Sequence, residues 1–270
     1  IDLEFDTKDI LYVRIDRRRK LPATVLLRAL GYDTEEMLNY FYKTEILHVA
    51  ADRVTKDFNP ELLLGQKTNV AIEHDGKVLV KEGKKITRAA IKKIKAAGLT
   101  QIPILDSDLV DEESSAGARV AAHDVVDLNT GEIIVETNEA LTEESLQQIR
   151  ERNIEQVEVL FIDNVNVGSF LRDTLLIDKI DNTEAAIIEI YRRLRPGDPP
   201  TYETALACFE NLFFNPERYD LSRVGRLKLN HKLQLEVPLE QTTLTREDIM
   251  RTVGYLINLR DGHGEVDDID

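Results

Sequence analysis

Cysteine and tryptophan are nearly missing from this chain: one cysteine, Cys208, and no tryptophan in 270 residues. A single cysteine excludes an internal disulfide framework, so packing must hold the fold. Set between Ala207 and Phe209, Cys208 reads as a small buried hydrophobe. The five histidines, at 48, 74, 123, 231 and 263, have neither metal-ligand spacing nor a cysteine partner, which argues against a structural zinc. No apolar run approaches the roughly 20 residues of a membrane helix. Basic charge is scarce too, with 35 Lys and Arg against 50 Asp and Glu and a net charge of −15. That balance excludes a nucleic-acid footprint spread over the whole surface and confines any such contact to a local stripe.

What is present is a globular composition, 42% apolar and 31% charged, long enough for one or two domains with their own cores. It predicts a soluble protein of a reducing compartment. Neither an initiator methionine nor a signal peptide stands at Ile1, and Asp270 ends an acidic run, so the sequence is expected to be part of a longer polypeptide.

The scarce basic charge is clustered. Val13-Arg-Ile-Asp-Arg-Arg-Arg-Lys-Leu-Pro22 runs from a strand-like lead into four consecutive cations, Arg17 to Lys20. A solvated face or a targeting patch is one reading. The other is a phosphate clamp, because guanidinium forks match phosphate and clustered cations displace counterions from nucleic acid. The segment 9–15 reads as a strand and the segment after Pro22 as a helix, so the cations sit on a short anchored connection.

Pro22–Leu30 predicts a short buried helix closed by Gly31, and Asp33-Thr34-Glu35-Glu36 opens a second through Met37, Leu38 and Phe41. From about residue 47 a repeat appears. The stretch 76–104 aligns without a gap on 131–159, an offset of 55. Val78/Val80 and Ile133/Val135 alternate as strands, Thr87 and Thr142 are N-caps, and Ile91/Ile94 and Leu146/Ile149 form helix stripes. Gly98 and Asn153 then stand where a left-handed cap is wanted, before strands at 102–104 and 157–159. Each copy is read as strand-helix-strand. Gly65-Gln-Lys-Thr-Asn-Val and Gly117-Ala-Arg-Val-Ala-Ala extend the match if the second copy's loop is three residues longer. The first helix is basic (Lys92, Lys93, Lys95) and the second acidic (Glu143, Glu144, Glu151), either as drift of solvent faces or as a partner surface with two electrostatic ends. Neither copy has a phosphate loop or a paired acid and base.

After about 166 the helical patterning seen before the repeat returns. A long amphipathic helix, 183–195, stops at Pro196-Gly197-Asp198-Pro199-Pro200, with Arg192, Arg193 and Arg195 in its last turn, where the helix dipole favours cations. A helix over 202–214 follows. In Arg218-Tyr-Asp-Leu-Ser-Arg-Val-Gly-Arg226, cations interleave with Tyr219 and apolar residues. They are read as an amphipathic helix with its basic side facing water, or as a second patch of phosphate and base contacts. Thr245 and Asp248 form a capping box for a last helix through Leu259. The acidic tail from Gly262 could hold Mg²⁺ and make the chain a metal-dependent hydrolase, but such a site needs ligands fixed from several elements.

Four of these stretches, Val13–Pro22, Leu194-Arg-Pro-Gly-Asp-Pro-Pro200, Arg218–Arg226 and Gly264-Glu-Val-Asp-Asp-Ile-Asp270, resemble in order the motifs of the bacterial RNA polymerase β subunit in its second lobe. The resemblance covers 1–46 and 166–270; the repeat region between them is similar to the lineage-specific insertion carried by some bacteria. It implies an α+β architecture, a mostly helical lobe split at 47–165 by an inserted α/β domain of two strand-helix-strand repeats, about 65–105 and 117–160. It further implies a non-catalytic wall of the DNA cleft of a nucleotidyltransferase, without catalytic residues of its own. Mg and Zn are expected on β′ and no cofactor here. The implied partners are the β′, α, ω and σ subunits, DNA as downstream duplex and non-template strand, and transcription factors on the insertion, in the cytoplasm at the nucleoid. Arg17, Arg18, Lys20, Arg195 and Arg218 would face the non-template strand. Ile269 and Asp270 match a pocket for an unpaired guanine, whose N1 and N2 donors a carboxylate can accept. The family's stacking Trp would lie just before Ile1 and its pocket Arg just after Asp270. The alternative is a protein-docking module without DNA contact.

Overall fold

The computed structural model describes residues 1–110 and 117–267. The chain divides into two compact units, one built from Ile1–Met37 and the chain from Ser169 on, the other from Leu38–Gly168.

The first unit opens with a three-stranded antiparallel sheet of β1 (Asp2–Phe5), β2 (Leu11–Arg14) and β3 (Leu21–Pro22). Helix α1 (Ala23–Ala29) follows directly and is buried along its whole length, so its polar members need internal partners. Thr24 donates to Asp178 at 2.7 Å, and Arg28 donates to Thr34 at 2.7 Å while its Nε stands 3.5 Å from Asp178. Helix α2 (Thr34–Phe41) then leads toward the second unit.

The second unit contains β4 (Thr44–Val49), β5 (Val54–Asp57), α3 (Pro60–Leu63), β6 (Ile72–His74), β7 (Lys77–Val80), α4 (Arg88–Ala96), β8 (Gln101–Ile104), α5 (Ser107–Val110), β9 (Val125–Val126), β10 (Ile133–Val135), α6 (Glu143–Glu151) and β11 (Gln156–Leu160). Each copy of the repeat is strand, helix, strand (β7-α4-β8 and β10-α6-β11). The two strands of a copy do not pair with each other. β8 and β11 form opposite edges of an antiparallel sheet ordered β11-β4-β5-β8, whereas β7 and β10 close the hairpins β6-β7 and β10-β9.

Thr87 and Thr142 accept hydrogen bonds from the amides of Ala90 and Ser145, and Gly98 and Asn153 adopt φ of 72° and 54°. Equivalent residues fill two cores, Ile72, Val80, Ile86, Ile94 and Ile102 in one and Val125, Val135, Leu141, Ile149 and Val157 in the other.

The backbone corrects the upstream match by one residue. Ile86 N–H donates to Gln66 O at 2.8 Å as Leu141 N–H donates to Arg119 O at 2.7 Å, and Gly83 and Asn138 make the matching bonds to Thr68 and Ala121. Gln66 therefore corresponds to Arg119, an offset of 53, and the second copy's loop is two residues longer rather than three. Aligning glycine on glycine misled because Gly65 and Gly117, both at positive φ, sit one place apart in the hydrogen-bond register.

The first unit resumes with α7 (Phe170–Ile177), α8 (Thr183–Leu194), α9 (Tyr202–Phe213), α10 (Ser222–Leu233) and α11 (Arg246–Arg260). α7 and α8 pack against α1, and Leu11 N–H donates to Thr174 Oγ1 at 3.0 Å, tying β2 to α7. Cys208 is half-buried, not buried as its apolar neighbours suggest, because the inward positions of α9 are Ala205, Phe209 and Phe213.

Candidate nucleic-acid interface

The basic stretch forms a constrained connection between β2 and β3. Arg18 N–H donates to Ile15 O at 3.0 Å, and Asp16 and Arg17 between them have φ of 51° and 55°. Two successive left-handed residues inside an i to i+3 bond mark a type I′ turn, which favours Asn-Gly. Asp tolerates the conformation; in Arg17 it costs about 1–2 kcal/mol through the Cβ–carbonyl clash. The turn is held from both sides by buried Leu11, Val13, Ile15 and Leu21.

Arg17, Arg18 and Arg19 are exposed, and no hydrogen bond or ion pair engages their side chains among the described residues. Lys20 is half-buried with Nζ 4.0 Å from the Tyr12 ring centroid, a cation–π contact that fixes its direction.

Beside the turn lies a cavity of about 380 Å³ that sequence reasoning missed. Ile15 and Asp16 line it together with Phe213 at the end of α9, Tyr219, and Ile249 and Thr252 on α11. The turn of Arg17 and the segment of Arg218 thus meet at one cavity, since each arginine is the chain neighbour of a lining residue. Arg218 is exposed and unpaired among the described residues. Arg195 lies elsewhere. It ends α8, in a loop closed by Tyr191 Oη donating to Asp198 at 2.6 Å, at the N-terminal end of α9. The cavity lies at the other end of that 12-residue helix, about 18 Å away at 1.5 Å per residue. Arg192 and Arg193 pair with Glu189 at 3.8 and 3.0 Å.

Arg226 overturns the expectation for its motif. It neither faces water nor is free to meet phosphate: it is 0% exposed and donates to Asp248 at 2.6 Å, Gln241 O at 2.7 Å and Thr243 O at 2.5 Å. Asp248 also completes the α11 capping box with Thr245 and lines the cavity, so this ion pair braces part of its wall. The signal in sequence was only the capping box, which placed an acid at Asp248 without showing its partner.

The chain beyond α11 is tied back, with Tyr255 donating to Glu265 O at 2.6 Å and Lys232 paired with Asp267, which raises the lysine's pKa. This tail leaves beside Tyr255, one helical turn past Thr252 of the cavity wall. Ile269 and Asp270 lie outside the described residues.

The profile of RNA polymerase Rpb2, domain 2, matches residues 147–270. The DNA-directed RNA polymerase subunit beta of Syntrophotalea carbinolica is 54% identical over 271 residues, covering all of this chain and 19% of that protein. Those of Sorangium cellulosum and Geotalea daltonii are 55% and 57% identical, again over the whole chain and 20% and 19% of the relative. The chain belongs to the RNA polymerase β-subunit family. It spans about a fifth of the length of these β subunits. The alignment extends through both units, so the duplicated Leu38–Gly168 unit is matched by these β subunits as well as the first unit is. Among the described residues, no helix is long and apolar enough to cross a membrane.

Proposed function

We propose that the first unit is the second lobe of a bacterial β subunit and guides the non-template strand within the assembled DNA-directed RNA polymerase. The observation that supports this reading is that Asp16 and Tyr219, chain neighbours of Arg17 and Arg218, line one mainly apolar cavity, and that Arg17, Arg18 and Arg218 are exposed and unpaired among the described residues. Cations that have no internal partner can meet phosphates without breaking a protein contact, and an aromatic rim suits an unstacked base. Lys20, directed by Tyr12, extends the strip; Arg195, at the far end of α9, contacts a different stretch of the strand. Ile269 and Asp270, by the resemblance, would accept an unpaired guanine of that strand. Nucleotidyl transfer belongs to the whole enzyme, with its metals on β′, and the chain meets β′, α, ω and σ through the rest of β, in the cytoplasm at the nucleoid.

The second unit is the inserted module, and its role is to offer a surface to transcription factors. Its basic and acidic helix faces, Lys92, Lys93 and Lys95 against Glu143, Glu144 and Glu151, are exposed and favour a partner with charges of both signs. If docking were the chain's whole role, no DNA contact would form at the turn. Photo-crosslinkers at positions 17, 218 and 195 of β in promoter complexes separate these readings. Positions 17 and 218 are expected to label neighbouring non-template nucleotides, and position 195 a distinct stretch. Absence of labelling from both 17 and 218 would leave docking alone.

A further inference from the structure

The second unit contains a cavity of about 230 Å³ with an unusual charge lining. Lys56 on β5 and Arg119 sit in its wall, 7% and 8% exposed, and Lys67 and Lys85 stand at its edge. Lys67 and Lys85 are direct antiparallel bridge partners, both exposed, and neither has an acid partner among the described residues. Like charges facing each other across strands repel. Four cations around one cavity stand out in a chain of net charge −15.

Each nearby acid already accepts a hydrogen bond, although the buried Glu45 Oε2 has no partner among the described residues. Glu45 accepts from Lys56 at 2.7 Å, Asp108 accepts from Asn69 at 2.7 Å, and Asp163 accepts from Gln66 at 2.8 Å and from three backbone amides. Arg119 differs: its buried Nε has no acceptor among the described residues. The repeat sharpens the point, because the equivalent position in the first copy is Gln66, whose amide does have one. A buried guanidinium N–H without an acceptor is costly, and an oxyanion entering the cavity would remove that cost and the Lys67–Lys85 repulsion together.

We propose that this cavity is a binding site for a small phosphate-bearing anion, held by Arg119 from within and by Lys67 and Lys85 at the mouth. The volume is below the roughly 300–1,000 Å³ of drug-sized sites, so the ligand is inorganic phosphate, pyrophosphate or the phosphoryl end of a metabolite whose remainder stays outside. This site is independent of the DNA reading, since all its residues belong to the second unit.

Hydrogen exchange on assembled polymerase tests it, with phosphate, pyrophosphate or chloride titrated at equal ionic strength. Phosphate and pyrophosphate are expected to protect the segments 65–70 and 85–86, with chloride having no effect. Arg119→Gln, which copies the first repeat, should weaken binding at least tenfold. Lys67→Ala with Lys85→Ala, at exposed positions that cannot unfold the module, should weaken it at least threefold. Equal protection by chloride, or undiminished phosphate binding in the double lysine variant, would overturn the proposal.

Discussion

Two arginine-rich stretches of the first unit have opposite fates. In the β2–β3 turn, Arg17, Arg18 and Arg19 are exposed, unpaired among the described residues, and partly mounted on a strained backbone. In the stretch from Arg218 to Arg226, the first arginine is exposed and unpaired like those of the turn, while the last is fully buried and satisfied by a carboxylate and two carbonyls. Basic character in a motif therefore has two different structural outcomes, free exposure and internal bracing. What separates them is whether the fold provides acceptors.

The largest effect should come from removing the brace. Arg226→Ala leaves Asp248 buried without its cation, and breaking a buried pair in this way costs about 3–5 kcal/mol. Urea unfolding should show the transition of the first unit moving to lower denaturant while that of the second stays; a shift below about 1 kcal/mol would make Arg226 no different from a surface arginine.

Next is Asp163, which closes the loop 163–167 of the second unit. Burial opposes its ionisation, but the amides of Asn166, Val167 and Val165 and the Asn166 side chain outweigh that and hold its pKa down to about 2. The folded value lies below the ordinary carboxylate range, so the stability it contributes is full above about pH 4 and is lost as pH falls toward 2. Asp163→Ala should destabilise the second unit by about 2–4 kcal/mol at pH 7 and flatten its acid dependence over that window. An unaltered acid transition would contradict the assignment.

A smaller effect of opposite sign is expected at the turn. Arg17→Gly removes the left-handed clash and should stabilise the first unit by about 1 kcal/mol while weakening promoter complexes. A variant that is less stable would mean that the turn is not strained. Arg195→Ala, at an exposed position unpaired among the described residues, should change stability by less than about 0.5 kcal/mol.

The elements were largely legible in sequence because their signals are local. Thr87 and Thr142 as caps, the terminator Pro196–Pro200 and the box of Thr245 with Asp248 each depend on neighbours within a few residues. Pairing was not legible in the same way. That β8 and β11 take opposite edges of a sheet built on β4 and β5 depends on contacts across up to about a hundred residues, and the one-residue error at Gly117 arose where register overrode residue identity.

At the site, the cations could be read from the sequence but their surroundings could not. Arg17 and Arg218 are far apart in the chain, and the cavity between their segments needs α9 and α11 to be placed. Arg226 went unseen because burial of an arginine is decided by acceptors from Gln241, Thr243 and Asp248, none of which its own motif contains.

The central claim, that the free arginines form a strip along single-stranded DNA, is tested most directly by open-complex lifetime against salt in whole polymerase carrying Arg18→Ala, Arg218→Ala or both. Each single variant should shorten the lifetime and reduce the salt slope by about 0.7, the value for one phosphate contact on a single strand, with the double variant losing about twice that. Lifetimes and slopes equal to those of the unsubstituted enzyme in all three would contradict it.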